Sequence, residues 1–178
     1  WNIRLSELGG KIVRERASLV DTINAEASHI YSKIASTTTN INLLYATQFA
    51  VDQYESALLQ KLEASTELDV LRGFTAHGPH RDDLQVVFND KPFQQNASRG
   101  ETRTLVLALK ILELRLLEDI RGTKPLLLLD DVFSELDMSR RAALASFVKE
   151  YQTIVTTTDA DQLTDIPEYV VITLGQKE

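Results

Sequence analysis

Two adjacent carboxylates at the end of an apolar run are the most chemically suggestive feature of this 178-residue sequence. Leu126 to Leu129 lead into Asp130-Asp131, and Ser134-Glu135-Leu136-Asp137 follows closely. Four consecutive leucines without alternation describe a strand covered on both faces, as in the middle of an α/β sheet. Ligands bind such sheets beyond the carboxyl ends of their strands, where these aspartates would stand. A carboxylate there can face a Mg²⁺ held by nucleotide phosphates, through water, while its neighbour polarises an attacking water. The simpler alternative is that the pair ends a strand and opens a turn, as polar residues commonly do.

A second feature is Ala97-Ser98-Arg99-Gly100-Glu101, directly ahead of an amphipathic stretch with Leu105, Leu109, Leu112 and Leu116 on its core side. Ser98 and the free amides of the first helical turn would attract an anion, helped by the helix dipole. Alternatively, Ser98 is an ordinary N-cap and Glu101 closes a capping box. A third segment, Gly78-Pro-His-Arg-Asp-Asp-Leu84, is a turn entering a strand. There His80 and Arg81 either satisfy local backbone groups or reach a nucleotide or interface.

These residues need a scaffold. Val13, Val20, Ala27 and Ile34 repeat every seven residues, with Ile23 and Ile30 between them, so residues 1 to about 36 read as one long helix. Its stripe is imperfect: Arg16 falls on it, and Gly9-Gly10 weakens the first turns. The helix either packs on its own domain or forms an intermolecular coiled coil. Alternating Ile41, Leu43 and Tyr45 predict a short strand, and a helix over 51–71 follows, with Tyr54, Leu58, Leu62 and Leu68 inward and Gly73 as its stop. A strand over 84–88 turns at Asn89-Asp90 into residues 91–94. From Ser98 the pattern is a helix over 100–119, the strand 126–129, a helix over 139–151 and the strand 153–157, which implies parallel strands with crossover helices. A last strand, Tyr169 to Leu174, follows Pro167. The predicted organisation is a mainly helical arm with one short strand over 1–72 and an α/β part over 73–178.

Composition sets limits. With 43% hydrophobic and 25% charged residues the chain is ordinarily globular. The absence of cysteine excludes disulfides and thiolate metal sites, and three scattered histidines (His29, His77, His80) cannot make a histidine-rich cluster. A net charge of −7 denies it the broad positive field of a nucleic-acid binder, so any DNA contact needs a local patch, another part of the protein or a dimer groove. No apolar run of membrane length and no secretion signal occurs, so the default is a cytoplasmic protein with no membrane partner.

Taken together, the motifs resemble the head of an ABC-type ATPase. Ala97 to Glu101 looks like the signature sequence, Asp130 matches the Walker B aspartate, and Ser134 to Asp137 resembles the D-loop. The Gly78-Pro-His-Arg-Asp-Asp-Leu84 segment, the Ser98-Arg-Gly-Glu101 form and Leu129-Asp-Asp-x-x-Ser-Glu-Leu-Asp137 narrow the likeness to the C-terminal half of the RecF family of SMC-like ATPases. The likeness is strongest from about Thr75 to Arg141.

That resemblance implies an ATP-dependent homodimer that sandwiches nucleotide between subunits. Ser98, Arg99, Gly100 and Glu101 would face the γ-phosphate held by the other protomer, with Ser134 and Asp137 reaching across the interface. Asp130 would assist Mg²⁺ in its own protomer, and Asp131 stands where a catalytic glutamate is usual. It also implies DNA repair at single-strand gaps, on single-strand/duplex junctions, together with recombination mediator proteins that load recombinase. Asp131 is one methylene shorter than glutamate, which suggests slow turnover. Thr158 occupies the place of a switch histidine and cannot act as a base at neutral pH. No phosphate-binding loop is present: before the single Gly-Lys pair, Gly10-Lys11, Leu5 stands where the first glycine belongs, and Ile12 replaces Ser/Thr. The expected partner is therefore an N-terminal lobe of the same protein, without which the chain is expected to be inactive. The alternatives are a head fragment of an SMC-like chromosome-maintenance ATPase, or a partner-binding module that does not hydrolyse ATP.

Overall fold

A computed structural model describes residues 1–159, 163, 166 and 168–175. Packing divides the chain into two compact units, residues 1–28 with 39–98 and residues 29–38 with 99–178. The boundary expected from sequence character lies instead near 72–76.

The first unit is built on helix α1 (Asn2–Ala35), whose residues up to 28 belong to it, and on α2 (Tyr54–Arg72). The heptad stripe of α1 is buried within the chain: Val13, Val20, Ala27 and Ile34 are all at most 9% exposed. Val13 joins Tyr54, Leu58 and Leu62 of α2 in one apolar cluster, flanked by Tyr45, Phe49 and Val51. Gly9 and Gly10 do not interrupt α1; they let α2 come close. A Cβ on Gly9 would lie 2.8 Å from Leu58 Cδ2, and one on Gly10 would lie 2.2 Å from Glu55 Cγ. Arg16 leaves the stripe and donates to the Pro79 carbonyl at 2.7 Å.

On α2 the expected inward residue Leu68 is 53% exposed and Asp69 is buried instead. The reason is register: seven residues on from Leu62 the 3.6-residue period returns to 69, not 68. Asp69 tolerates burial because its carboxylate accepts from Ser65 Oγ at 2.8 Å and from the Ala76 amide at 3.1 Å. Gly73, with φ +77, ends the helix in the left-handed conformation.

Strands β1 (Ile41–Ala46), β2 (Asp83–Phe88) and β3 (Lys91–Pro92) form an antiparallel sheet in that order. Asn89 and Asp90 both have positive φ, as a two-residue hairpin turn requires. The expected strand 91–94 stops at Pro92, which has no N–H for the ladder, and a single helical turn α3 (Phe93–Asn96) follows.

The second unit contains the last turns of α1, helix α4 (Arg99–Arg121), strand β4 (Leu127–Asp130), helix α5 (Met138–Val148) and strand β5 (Thr153–Thr156). Strands β4 and β5 are parallel, as expected from the alternation, with Leu128 opposite Ile154 and Asp130 opposite Thr156. On α4, Leu105 and Leu112 are buried but Leu109 and Leu116 are half-buried, since the buried face is wider and takes in Thr104, Leu107, Ala108, Ile111 and Leu114.

Two expectations fail in this unit. The four-leucine strand is not covered on both faces: Leu126 is 50%, Leu128 66% and Ile154 56% exposed. Among the described residues β4 has a single neighbour, and nothing covers that face. Tyr169 to Leu174 form no strand, and Val170, Ile172 and Leu174 are each more than 80% exposed. An extended segment becomes a strand only with a ladder partner, and the described residues offer it none. Pro167, expected to precede it, lies outside the described residues. No helix among the described residues is long and apolar enough to cross a membrane.

Candidate functional site

Asp130 is the last residue of β4, exposed at the carboxyl end of the parallel pair. Register sets Thr156 beside it, and the Thr156 hydroxyl donates to Asp130 Oδ1. The same hydroxyl and the Thr156 carbonyl both accept from the Asp131 amide, each at 3.1 Å. Asp131 has φ +49, so the chain turns sharply out of the strand there. Its carbonyl accepts from Ser134 Oγ at 2.7 Å, which closes the turn of 3₁₀ helix Val132–Glu135. Both carboxylates therefore leave a strand end on a stiffened turn.

Asp137 caps α5 by accepting from the Arg140 amide at 2.9 Å and pairs with the Arg140 guanidinium as well. The amide bond, more than the guanidinium charge, holds its carboxyl pKa below the usual 3.8. Arg140 Nε also donates to Thr104 Oγ1 at 2.6 Å, and Thr104 donates to the Gly100 carbonyl at 2.8 Å. Within the second unit the structure thus brings Gly100, on the first turn of α4, together with Asp137. Tyr31, 2% exposed near the end of α1, shares this neighbourhood, since burial and then the Glu101 charge raise its pKa while Arg140 opposes them.

Arg99 is exposed at the start of α4, and Glu101 is half-buried. Ser98, exposed, immediately precedes α4 and packs with the first unit. Thr158 is exposed beyond the end of β5. His80 and Arg81 lie in the first unit: His80 Nε2 is 3.0 Å from the Thr75 carbonyl, and the Arg81 guanidinium sits 5.8 Å over the Phe74 ring. Their segment is pinned by Arg16 on Pro79 and by the Tyr45 hydroxyl, which donates to Asp82 Oδ2 at 2.5 Å.

No three or more His, Asp or Glu side chains gather to hold a metal among the described residues. Asp130 could contribute one carboxylate to a cation, and Mg²⁺ is commonly bound through one or two carboxylates together with water and phosphate oxygens.

No protein-family model matches the chain. A DNA replication and repair protein RecF of Acaryochloris marina is 36% identical over 164 residues, covering 89% of this chain and 44% of that protein. The protein of the same name from Clostridium botulinum is 36% identical over 166 residues, covering 93% and 46%. Over about nine-tenths of its length the chain resembles the RecF family.

A solved structure of the recombination mediator protein RecF with ATP agrees: its TM-score to this chain is 0.75 at 29% identity, covering 90% of this chain and 44% of that one. The chain thus spans less than half the length of the relatives it matches.

Two residues of the site were not foreseen in the sequence. Thr156 could have been found from register, since a parallel strand of equal length ends opposite Asp130. Arg140 carries only a weak local signal, three residues after an N-cap aspartate.

Proposed function

We propose that this chain supplies the signature, Walker B and D-loop elements of an ATP-dependent DNA replication and repair protein. The observation that carries the reading is the hydrogen-bonded chain that links Gly100 to Asp137 through Thr104 and Arg140, together with Asp130, which Thr156 separately fixes at a strand end. The solved RecF relative that contains ATP supports nucleotide as the ligand.

In this reading an N-terminal lobe of the same protein provides the phosphate-binding loop and covers the open apolar face at Leu126, Leu128 and Ile154. Asp130 holds Mg²⁺ through water, and the ion would neutralise phosphate charge. Asp131 orients the attacking water, slowly because its side chain is short. Ser98, Arg99, Gly100 and Glu101 meet the γ-phosphate bound by a second copy, Ser134 and Asp137 cross the dimer interface, and Thr158 lies near the phosphate. His80 and Arg81 hold the Gly-Pro turn. The complete dimer works in the cytoplasm at single-strand/duplex junctions with recombination mediator proteins. Its DNA contacts come from the assembled dimer, since this chain carries a net charge of −7.

The test is ATP hydrolysis by the complete protein with Asp130→Asn. The reading predicts loss of Mg²⁺-dependent turnover with the fold intact; unchanged hydrolysis would remove Asp130 from the site.

A further inference from the structure

We infer that Arg140 is a positioning residue that clamps the start of α4 to Asp137, so that the signature and D-loop elements of one protomer move as one piece; this rests on the nucleotide-site reading above. Arg140 Nε donates to Thr104 Oγ1 at 2.6 Å, and its Nη1 pairs with Asp137 Oδ2. Thr104 is fully buried one turn into α4 and passes the link on to the Gly100 carbonyl. The guanidinium also lies against Gly100, where a Cβ would sit 3.6 Å from Nη2. One side chain therefore reaches two motifs that stand more than thirty positions apart in sequence.

The chemistry suits arginine alone. Its planar fork can hold a hydroxyl and a carboxylate at a fixed spacing, whereas a lysine ammonium is a single point on a flexible stem. The Arg140 side chain is 24% exposed, against 64% for Arg4 in its pair with Glu7, so the guanidinium is much less open to water. Burying the Thr104 hydroxyl would be unfavourable without partners, and it has one on each side.

A clamp of this kind acts where the two motifs must meet the opposite protomer together. It has no part in holding nucleotide on the other lobe. Its loss should therefore lower kcat and ATP-driven dimerisation while leaving nucleotide affinity in place.

The test uses the complete protein with Arg140→Lys, Arg140→Ala and Thr104→Val, measuring nucleotide Kd, KM, kcat and ATP-dependent dimer formation. Thr104→Val keeps the shape and the Arg140–Asp137 pair while removing the acceptor for Nε. Arg140→Lys keeps the charge. Both should lose roughly ten-fold or more in kcat, the size expected for a charge-assisted hydrogen bond, with nucleotide Kd unchanged. Should Arg140→Ala fail to fold, these two variants decide the matter. Wild-type kcat in both, or a parallel loss of nucleotide binding, would overturn the clamp. A wild-type protein that neither hydrolyses ATP nor dimerises with it would overturn the site reading, and the role of the clamp with it.

Discussion

Replacing Thr156 by valine isolates what holds Asp130 in place. Valine preserves the branched shape and the strand preference, so the β4–β5 ladder stays. The Asp131 amide keeps the Thr156 carbonyl as an acceptor, so the loss reduces to one hydroxyl bond to Asp130 Oδ1. Hydrogen bonds of this type contribute about 0.5–1.5 kcal/mol, and because both side chains are exposed the lower half of that range applies, about 0.5–1 kcal/mol. If Asp130 serves Mg²⁺ through water, freeing its carboxylate should raise the Mg²⁺ concentration for half-maximal ATP hydrolysis by about two- to five-fold. Urea unfolding of the chain measures the first effect and a Mg²⁺ titration of the complete protein measures the second. Thr156→Ser should restore both. A Mg²⁺ requirement unchanged in Thr156→Val would refute the idea that this hydroxyl orients a metal-facing carboxylate.

Three further substitutions probe the scaffold. Tyr54 is fully buried and, among the described residues, its hydroxyl meets no partner in good hydrogen-bond geometry, with Thr47 as a polar neighbour, so Tyr54→Phe should be neutral or stabilising by up to about 1 kcal/mol in urea unfolding. Burial also raises the Tyr54 pKa well above 10, so its contribution is complete below pH 10 and is lost as pH rises further; the phenylalanine variant should therefore resist alkali better, and equal alkaline midpoints would count against this. Asp137→Ala should cost about 1 kcal/mol near neutral pH through the lost cap. Because the folded pKa of Asp137 lies below 3.8, the gap between wild type and variant should persist above that pH and close only as pH falls below it; closure near pH 6 would contradict the assignment. Gly9→Val drives a side chain into buried Leu58 and Tyr54 and should destabilise by about 1–3 kcal/mol, with a stabilised variant in thermal unfolding as the opposing result.

Much of the second unit was legible because its pattern is local. The run 126–129 reads as a strand, the aspartates fall at its end, and alternation with helices gives a parallel partner. What sequence could not convey was who covers each face. Unbroken leucines imply two covering layers, yet Leu128 is open because the described residues supply one. The same holds for Tyr169 to Leu174, apolar enough for a strand but without a ladder partner. Leu68 was misplaced by one residue because hydrophobicity outweighed period, and a buried aspartate was not anticipated. Gly9-Gly10 read as a weakness because propensity is local, whereas their use is the approach of a helix some fifty residues on. Arg140 and Thr156 escaped notice for a related reason: each matters through a partner distant in sequence.

In the proposed assembly Ser98 and Asp130 serve the same nucleotide from different protomers. Mixing complete proteins tests it directly: one carries Ser98→Arg, the other Asp130→Asn, and each alone should be without ATPase activity. In mixed dimers one composite site regains both intact residues, so random pairing should restore about a quarter of wild-type hydrolysis. A mixture that stays as inactive as its components would contradict the shared site.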